Sequence, residues 1–247
     1  MMFLAIIAFF LVHWFFSLFF HTAFLHRYAS HQMFTMNKVV ERIFYFMTWL
    51  CQGSSYLVPR AYAVMHRMHH EYSDTKEDPH SPHFFKDIFG MMMHTRTIYD
   101  EFVSGIRVPD TKFLKNLPVW SAMDKFGSSG WVRISWGVAY SLFYLYFIVY
   151  QDVSAFWLLL LPIHFLMGPV QGACVNWFGH KYGYQNFDNH DKSHNTSPFG
   201  MFFLGELFQN NHHMFPNSPN FAKKWFEIDF TYPILKFLAW IRIIRFA

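Results

Sequence analysis

The chain has 247 residues, of which 53% are hydrophobic, 22% aromatic and only 15% charged, with a formal net charge of +4. This composition is too apolar for an ordinary soluble domain. The basic residues form no runs interleaved with aromatics, so a nucleic-acid partner is not expected. The two cysteines, Cys51 and Cys174, provide no disulfide framework. The composition predicts an all-α integral membrane protein surrounded by membrane lipid.

Three apolar segments are long enough to cross about 30 Å of hydrocarbon, which takes about 20 helical residues. We place these spans at about residues 2–20, 133–150 and 153–175. The first segment lacks the basic start and small-residue cleavage pattern of a signal peptide, so we expect a retained span. The other two are separated only by Gln151-Asp152 and form a tight hairpin.

Basic residues mark one side of these spans. Arg27 follows the first span, Arg133 precedes the second and Lys181 follows the third, whereas the hairpin tip carries only Asp152. Positive charge marks the cytoplasmic side. We therefore expect a helical cytoplasmic cap made of about residues 21–130 and 176–247. We expect a bacterial inner membrane rather than the endoplasmic reticulum.

Three further segments are predicted to be helical. Residues 39–58 are partly apolar but contain Glu41 and Arg42, which predicts an amphipathic helix at the interface or in the cap rather than a fourth span. A helix is also expected over about 84–103. The segment 233–246 mixes bulky apolar and basic residues, and either an inner-leaflet helix or a packing helix of the cap fits it.

Half of the sixteen histidines fall into three spaced groups or a related Asn176…His180 pair. His21 and His26 have the spacing HxxxxH, and His66, His69 and His70 have the spacing HxxHH. A third group repeats HxxHH with glutamine first, and it consists of Gln209, His212 and His213. Imidazole is the commonest protein ligand of transition metals, so these groups predict a buried metal centre.

Helix geometry favours two metal ions. Residues i, i+3 and i+4 share one helix face, so His66, His69 and His70 can project together. Residues i and i+5 lie about 140° apart at 3.6 residues per turn. His21 and His26 therefore either bind two neighbouring ions or flank a locally unwound helix.

The remaining histidines are not expected to bind metal. His13 and His164 lie deep in predicted spans, where a buried hydrogen bond is expected. The others lie in polar surroundings and are assigned to surface or supporting roles: His31, His80, His83, His94, His190 and His194.

The order of these motifs resembles that of the integral-membrane fatty acyl desaturases of the Δ9, stearoyl-CoA type. Similar segments are His66-Arg-Met-His-His-Glu71 with Glu77-Asp-Pro-His-Ser-Pro82, then Asn176-Trp-Phe-Gly-His180, and Gly205 to Pro216 around the third group. The resemblance runs from about residue 15 to 232. It implies a single membrane-bound desaturase domain over 1–247 that holds a histidine-rich dinuclear site.

This resemblance also implies the chemistry. Two iron ions (Fe2+/Fe3+) and O2 would remove two hydrogens from a long-chain saturated acyl substrate, leaving a cis double bond. Carried over by position, the site comprises His21, His26, His66, His69, His70, His180, His212 and His213, with Asn176 acting through water. Gln209 stands where the family has a histidine ligand, and it can bind weakly, hold a water or leave one iron open.

The partners stay less defined. Val64-Met65 replaces charged residues that hold the CoA head in animal enzymes, so the acyl carrier can be CoA, carrier protein or lipid. No His-Pro-Gly-Gly haem segment is present, which implies an external electron donor such as ferredoxin or cytochrome b5 with its reductase. Whereas the family usually has two spans before the first of these histidine groups, which are called histidine boxes, this chain has one. The alternative functions are an acyl or lipid hydroxylase on the same site, or a non-catalytic metal-binding membrane protein.

Overall fold

The structure is a computed structural model that describes residues 3–196 and 200–247. It is built from helices and one small antiparallel sheet. The helices are α1 (Phe3–Phe20), α2 (Lys38–Gln52), α3 (Pro59–Tyr72), α4 (Ile88–Ser104), α5 (Ser121–Ser128), α6 (Gly130–Tyr150), α7 (Leu161–Phe165), α8 (Met167–Gly179), α9 (Gln209–Met214) and α10 (Thr231–Trp240). The sheet pairs β1 (Phe34–Met36) with β2 (Ile244–Phe246). The all-α prediction is confirmed.

Two helices are long and apolar enough to cross a membrane, Phe3–Ser30 and Gly130–Tyr150. A third span is possible if Ala155–Phe165 and Met167–Gly179 are counted together, although they are bent by 73°. Pro169 explains the bend, because it has no N–H to donate to the carbonyl of Phe165 four residues earlier. That carbonyl instead accepts a hydrogen bond from Ser54 Oγ at 3.0 Å.

The first helix is longer than predicted, because α1 continues as a π-helix from His21 to Ser30. A π-helix has hydrogen bonds between residues five apart, which brings i and i+5 onto one side. The backbone N–H of His31 correspondingly donates to the carbonyl of His26 at 3.2 Å. The angle of 140° expected for an α-helix therefore does not apply here.

The cap is packed around this π-helix. Helix α2 has 15 residues, fewer than a span needs, and packs against α1. Helix α3 packs against the π-helix, and its Arg67 donates to the carbonyls of Ala29 and Ser30 at 2.9 and 2.8 Å. A basic side chain thus satisfies carbonyls at the end of the π-helix and fixes α3 against it.

The C-terminal segment only partly follows the prediction. Helix α10 ends at Trp240, and the chain then forms β2 beside β1. Leu235 and Ile244 are buried in one apolar cluster with Phe34, whereas the side chain of Trp240 is 77% exposed. One face of the segment therefore packs into the cap, as the second alternative proposed.

A fully buried arginine connects the π-helix to the chain around α9. Arg27 donates to Glu206 at 3.2 Å and to Asp229 at 2.7 Å, and its guanidinium lies 3.8 Å from the ring centroid of Phe221. All three charged side chains are at most 5% exposed. Removing one member of such a group leaves an uncompensated buried charge.

We expect Arg27→Leu to lower the free energy of unfolding by about 3–5 kcal/mol, because two buried carboxylates lose their partner. The matched control is Arg96→Leu, since Arg96 pairs with Asp100 on the surface and should change it by less than about 1 kcal/mol. Chemical unfolding of the full chain in lipid nanodiscs measures both. Equal losses in the two variants would contradict this account of Arg27.

Candidate metal centre

Eight histidines meet in two clusters inside the cap. In each cluster the ring nitrogens that face one another lie within 4.8 Å. The first cluster contains His26, His31, His66, His70 and His212, and the second contains His69, His180 and His213. The two histidine boxes on α3 and α9 each contribute to both clusters. The HxxHH spacing therefore divides neighbouring imidazoles between two clusters, whereas the sequence analysis expected His66, His69 and His70 to project together.

The first cluster has the spacing of ligands around one ion. Its Nε2 atoms approach in pairs: His26 to His212 at 2.8 Å, His31 to His66 at 2.8 Å, His70 to His212 at 2.9 Å and His70 to His66 at 3.1 Å. A transition metal binds imidazole nitrogen at about 2.1 Å, so two ligands at right angles lie about 3.0 Å apart. The observed separations fit that arrangement.

The second cluster is smaller. His69 Nε2 lies 3.2 Å from His213 Nε2. The Nε2 atom of His180 is buried and has no hydrogen-bond partner among the described residues. An unpartnered buried nitrogen in a group of three imidazoles fits a metal ligand.

Four carboxylates orient the imidazoles from behind. The Nδ1 atom of the histidine donates in each pair: His26 to Glu206 at 2.6 Å, His69 to Asp78 at 2.9 Å, His180 to Asp74 at 3.0 Å and His213 to Asp191 at 2.5 Å. Because a carboxylate only accepts, the proton is held on Nδ1 and the Nε2 lone pair points into the cluster. Sequence analysis had not assigned these carboxylates a role.

Electrostatics favour the metal-binding form of the rings. Burial, together with neighbouring imidazoles, lowers the pKa of His66, His70 and His212 well below the usual value. Burial acts to raise the pKa of Asp78, but the adjacent His69 overcomes it and holds that pKa below its usual range. The rings of His66, His70 and His212 are therefore neutral at pH 7 and Asp78 is ionised, which is the state that metal binding needs. Burial acts to lower the pKa of His69, but the Asp78 carboxylate overcomes it and raises that pKa.

For one histidine pair the structure differs from the sequence prediction. Seven of the eight histidines selected from sequence lie in the clusters, but His21 does not. Its ring instead packs edge-on against Tyr62 at 4.8 Å. His31, assigned to a supporting role, takes part in the first cluster with His26. The sequence contains two overlapping HxxxxH pairs, and spacing alone does not distinguish His21–His26 from His26–His31.

Two other selected residues, Asn176 and Gln209, are placed near His180, a member of the second cluster. Asn176 is half-buried on α8, one turn before His180. Gln209 is buried, and its Nε2 donates to the backbone carbonyl of Glu206 at 2.6 Å. Its Cγ packs closely against Gly179, where an added Cβ would lie only 2.5 Å away. The amide nitrogen of Gln209 is therefore engaged with backbone.

The two intramembrane histidines form the buried hydrogen bond that was predicted. His13 Nδ1 lies 2.6 Å from His164 Nδ1, and Tyr144 lies 2.9 Å from the other nitrogen of His164. This group joins α1, α6 and α7 within the spans.

Comparison with known proteins identifies one family that matches nearly the whole chain. The family model for fatty acid desaturases matches residues 2–236. A stearoyl-lipid 9-desaturase of Synechocystis is 29% identical over 87% of this chain and 62% of its own length. A hex-5-enoyl-[acyl-carrier protein] acetylenase of Moorena producens is 25% identical over 85% of this chain and 67% of its own. An acyl-CoA 5-desaturase of Anemone leveillei is 28% identical over 87% and 63%. The chain thus spans somewhat less than two thirds of the Synechocystis protein.

The pairing of His26 with His31 can be tested by metal content. We expect His31→Gln to weaken binding of one ion at least tenfold, because the first cluster loses an imidazole of the set that converges there. His21→Gln should retain the wild-type metal content. Iron per chain, measured after equilibration with a chelator, compares the two variants. Loss of iron from His21→Gln with full retention by His31→Gln would overturn the assignment.

Proposed function

Because the chain belongs to the fatty acid desaturase family, we propose that it introduces a cis double bond into a long-chain saturated acyl substrate. The reaction uses O2 and external electrons. The observation that carries this proposal is the convergence of eight imidazoles in two adjacent clusters backed by carboxylates. The proposed catalytic domain is a single membrane-bound domain over residues 1–247.

The proposed cofactor is a pair of iron ions. Imidazole suits several transition metals, but zinc has no redox chemistry and the reaction requires electron transfer. Bound iron supplies the activation of O2. The proposed ligands are the eight clustered histidines, so His31 replaces His21 in the set drawn from the resemblance. Asn176 is proposed to act through a water molecule, and Gln209 is retained as a weak or indirect donor.

The protein residues keep the site ordered and dry. Glu206, Asp74, Asp78 and Asp191 hold four imidazoles in one tautomer. His26, His69 and His212 are at most 1% exposed, which limits the access of bulk water to the clusters. Such exclusion protects the substrate reaction from side reactions with solvent.

The acyl carrier is CoA, carrier protein or lipid. The printed names of the relatives include a lipid enzyme, a carrier-protein enzyme and a CoA enzyme. Val64 and Met65 are 1% and 5% exposed and pack in the core, so they offer no surface to a CoA head. This burial supports a carrier other than CoA, or a head group held elsewhere.

The proposed setting follows from charge. Basic residues flank the spans on the side of the cap, which supports a site on the cytoplasmic side. The proposed membrane is a bacterial inner membrane rather than the endoplasmic reticulum, and the charge pattern fits either. The donor of electrons is proposed to be a ferredoxin or a cytochrome b5 with its reductase, docking on the cap.

Lipid analysis of expressing cells tests the function. We expect cells with the wild-type chain to contain at least tenfold more new monounsaturated acyl chains than cells with His66→Ala, which removes a central imidazole. Gas chromatography with mass spectrometry locates the double bond and the lipid class that carries it.

The other outcomes separate the alternatives. Hydroxylated chains in place of unsaturated ones would assign a hydroxylase. Unchanged lipids with two bound irons, and unsaturation only in Gln209→His, would show that glutamine disables the site. Unchanged lipids in both would contradict the proposal and leave a metal-binding protein.

A further inference from the structure

His80 is a buried imidazole with an unusual lack of partners. It lies in the loop between α3 and α4 and is 6% exposed. Within the described part of the chain, neither Nδ1 nor Nε2 has a hydrogen-bond partner. A buried polar atom without a partner costs about 1–3 kcal/mol. A neutral imidazole has one donor and one acceptor, so two unused ring positions indicate a partner that is not part of the chain.

The position of His80 points to the second cluster. Its ring packs against the ring of His69 at 4.4 Å between centroids, inclined by 37°. Its backbone N–H donates to Asp78 Oδ1 at 3.0 Å, and the other oxygen of Asp78 holds His69. One potential ligand atom from each of these three residues lies within 4.8 Å of the others.

His80 nevertheless lies at the edge of that cluster. The three nitrogens of His69, His180 and His213 form a compact group that does not include His80. Its ring is close enough to interact with a molecule bound there, but direct ligation requires a shift of the ring. A single water between His80 and the ion needs no such shift.

The two clusters are also unequal. The first has five imidazoles and the second has three. On α3 every histidine of the HxxHH box enters a cluster, whereas the matching first position of the box on α9 is Gln209. The amide nitrogen of Gln209 is engaged with the Glu206 carbonyl. The second cluster is therefore the one that needs a further donor.

We propose that His80 completes the second metal site through a water molecule that binds the ion beside the three imidazoles, in addition to the water assigned to Asn176. His80 is thus a positioning residue, whose ring nitrogen accepts a hydrogen bond from that water. This inference rests on the dinuclear centre of the proposed function. His80 and its water thus take the place of the imidazole that a histidine at position 209 would supply.

Metal binding tests the inference without activity. The full chain in nanodiscs is loaded with Co2+, whose visible absorption reports coordination, and its affinity for the weaker-bound ion is measured by chelator competition. We expect His80→Phe to lower the affinity for that ion by about 10–100-fold, as does the loss of a residue that hydrogen-bonds to a metal ligand. His80→Gln, which still accepts a hydrogen bond, should weaken it less than about threefold. His94→Phe on the exposed face of α4 is the control and should change nothing.

A second background separates a water-holding role from a structural one. In Gln209→His the second site gains an imidazole, so adding His80→Phe should lower the affinity for that ion by less than about threefold. An undiminished loss in that background would show a structural role and overturn the inference, as would wild-type affinity in His80→Phe alone. A wild-type chain that binds one Co2+ or none would instead overturn the dinuclear proposal itself.

Discussion

The site depends on four carboxylates that hold imidazole protons on the side away from the centres of the histidine clusters. Without Glu206, Asp74, Asp78 and Asp191, each ring could turn or change tautomer, and the Nε2 lone pairs would no longer converge. These carboxylates come from two connections, α3 to α4 for Asp74 and Asp78 and α8 to α9 for Asp191 and Glu206. The polar loops of the cap therefore pack inward for a chemical reason, and Glu206 is in turn held by the buried Arg27.

The π-helix is the second element on which the arrangement depends. Ten residues in this form are unusual, because π-helices are mostly single turns and occur at functional sites. Because of the π-helix, His26 and His31, five residues apart, face the same cluster. Arg67 stabilises the end of the π-helix from α3, the helix that carries the HxxHH box. The two elements that supply most of the first cluster are thus connected by direct hydrogen bonds.

The sequence predicted what depends on local patterns. Hydropathy predicted three spans, and the structure has two helices and a bent pair in those places. The i, i+3, i+4 rule predicted that His66, His69 and His70 point to one side of α3, where all three join histidine clusters. The π-helix was missed because 3.6 residues per turn was assumed throughout. His21 was selected rather than His31 because both form an HxxxxH pair with His26, and spacing does not distinguish them. Glu206 and Asp74 were missed because their partners are distant in sequence, 180 residues for Glu206 and His26 and 106 for Asp74 and His180. Asp78 and Asp191 are nearer to theirs, 9 and 22 residues, but they lie in loops whose path no periodic pattern predicts.

The central claim is that the cap holds two iron ions in unequal imidazole environments. Mössbauer spectroscopy of the full chain loaded with 57Fe(II) tests it most directly, together with iron counted per chain. The account predicts two irons per chain and two quadrupole doublets of equal area, since one cluster offers five imidazoles and the other three. A single iron per chain, or one doublet from two equivalent irons, would contradict it.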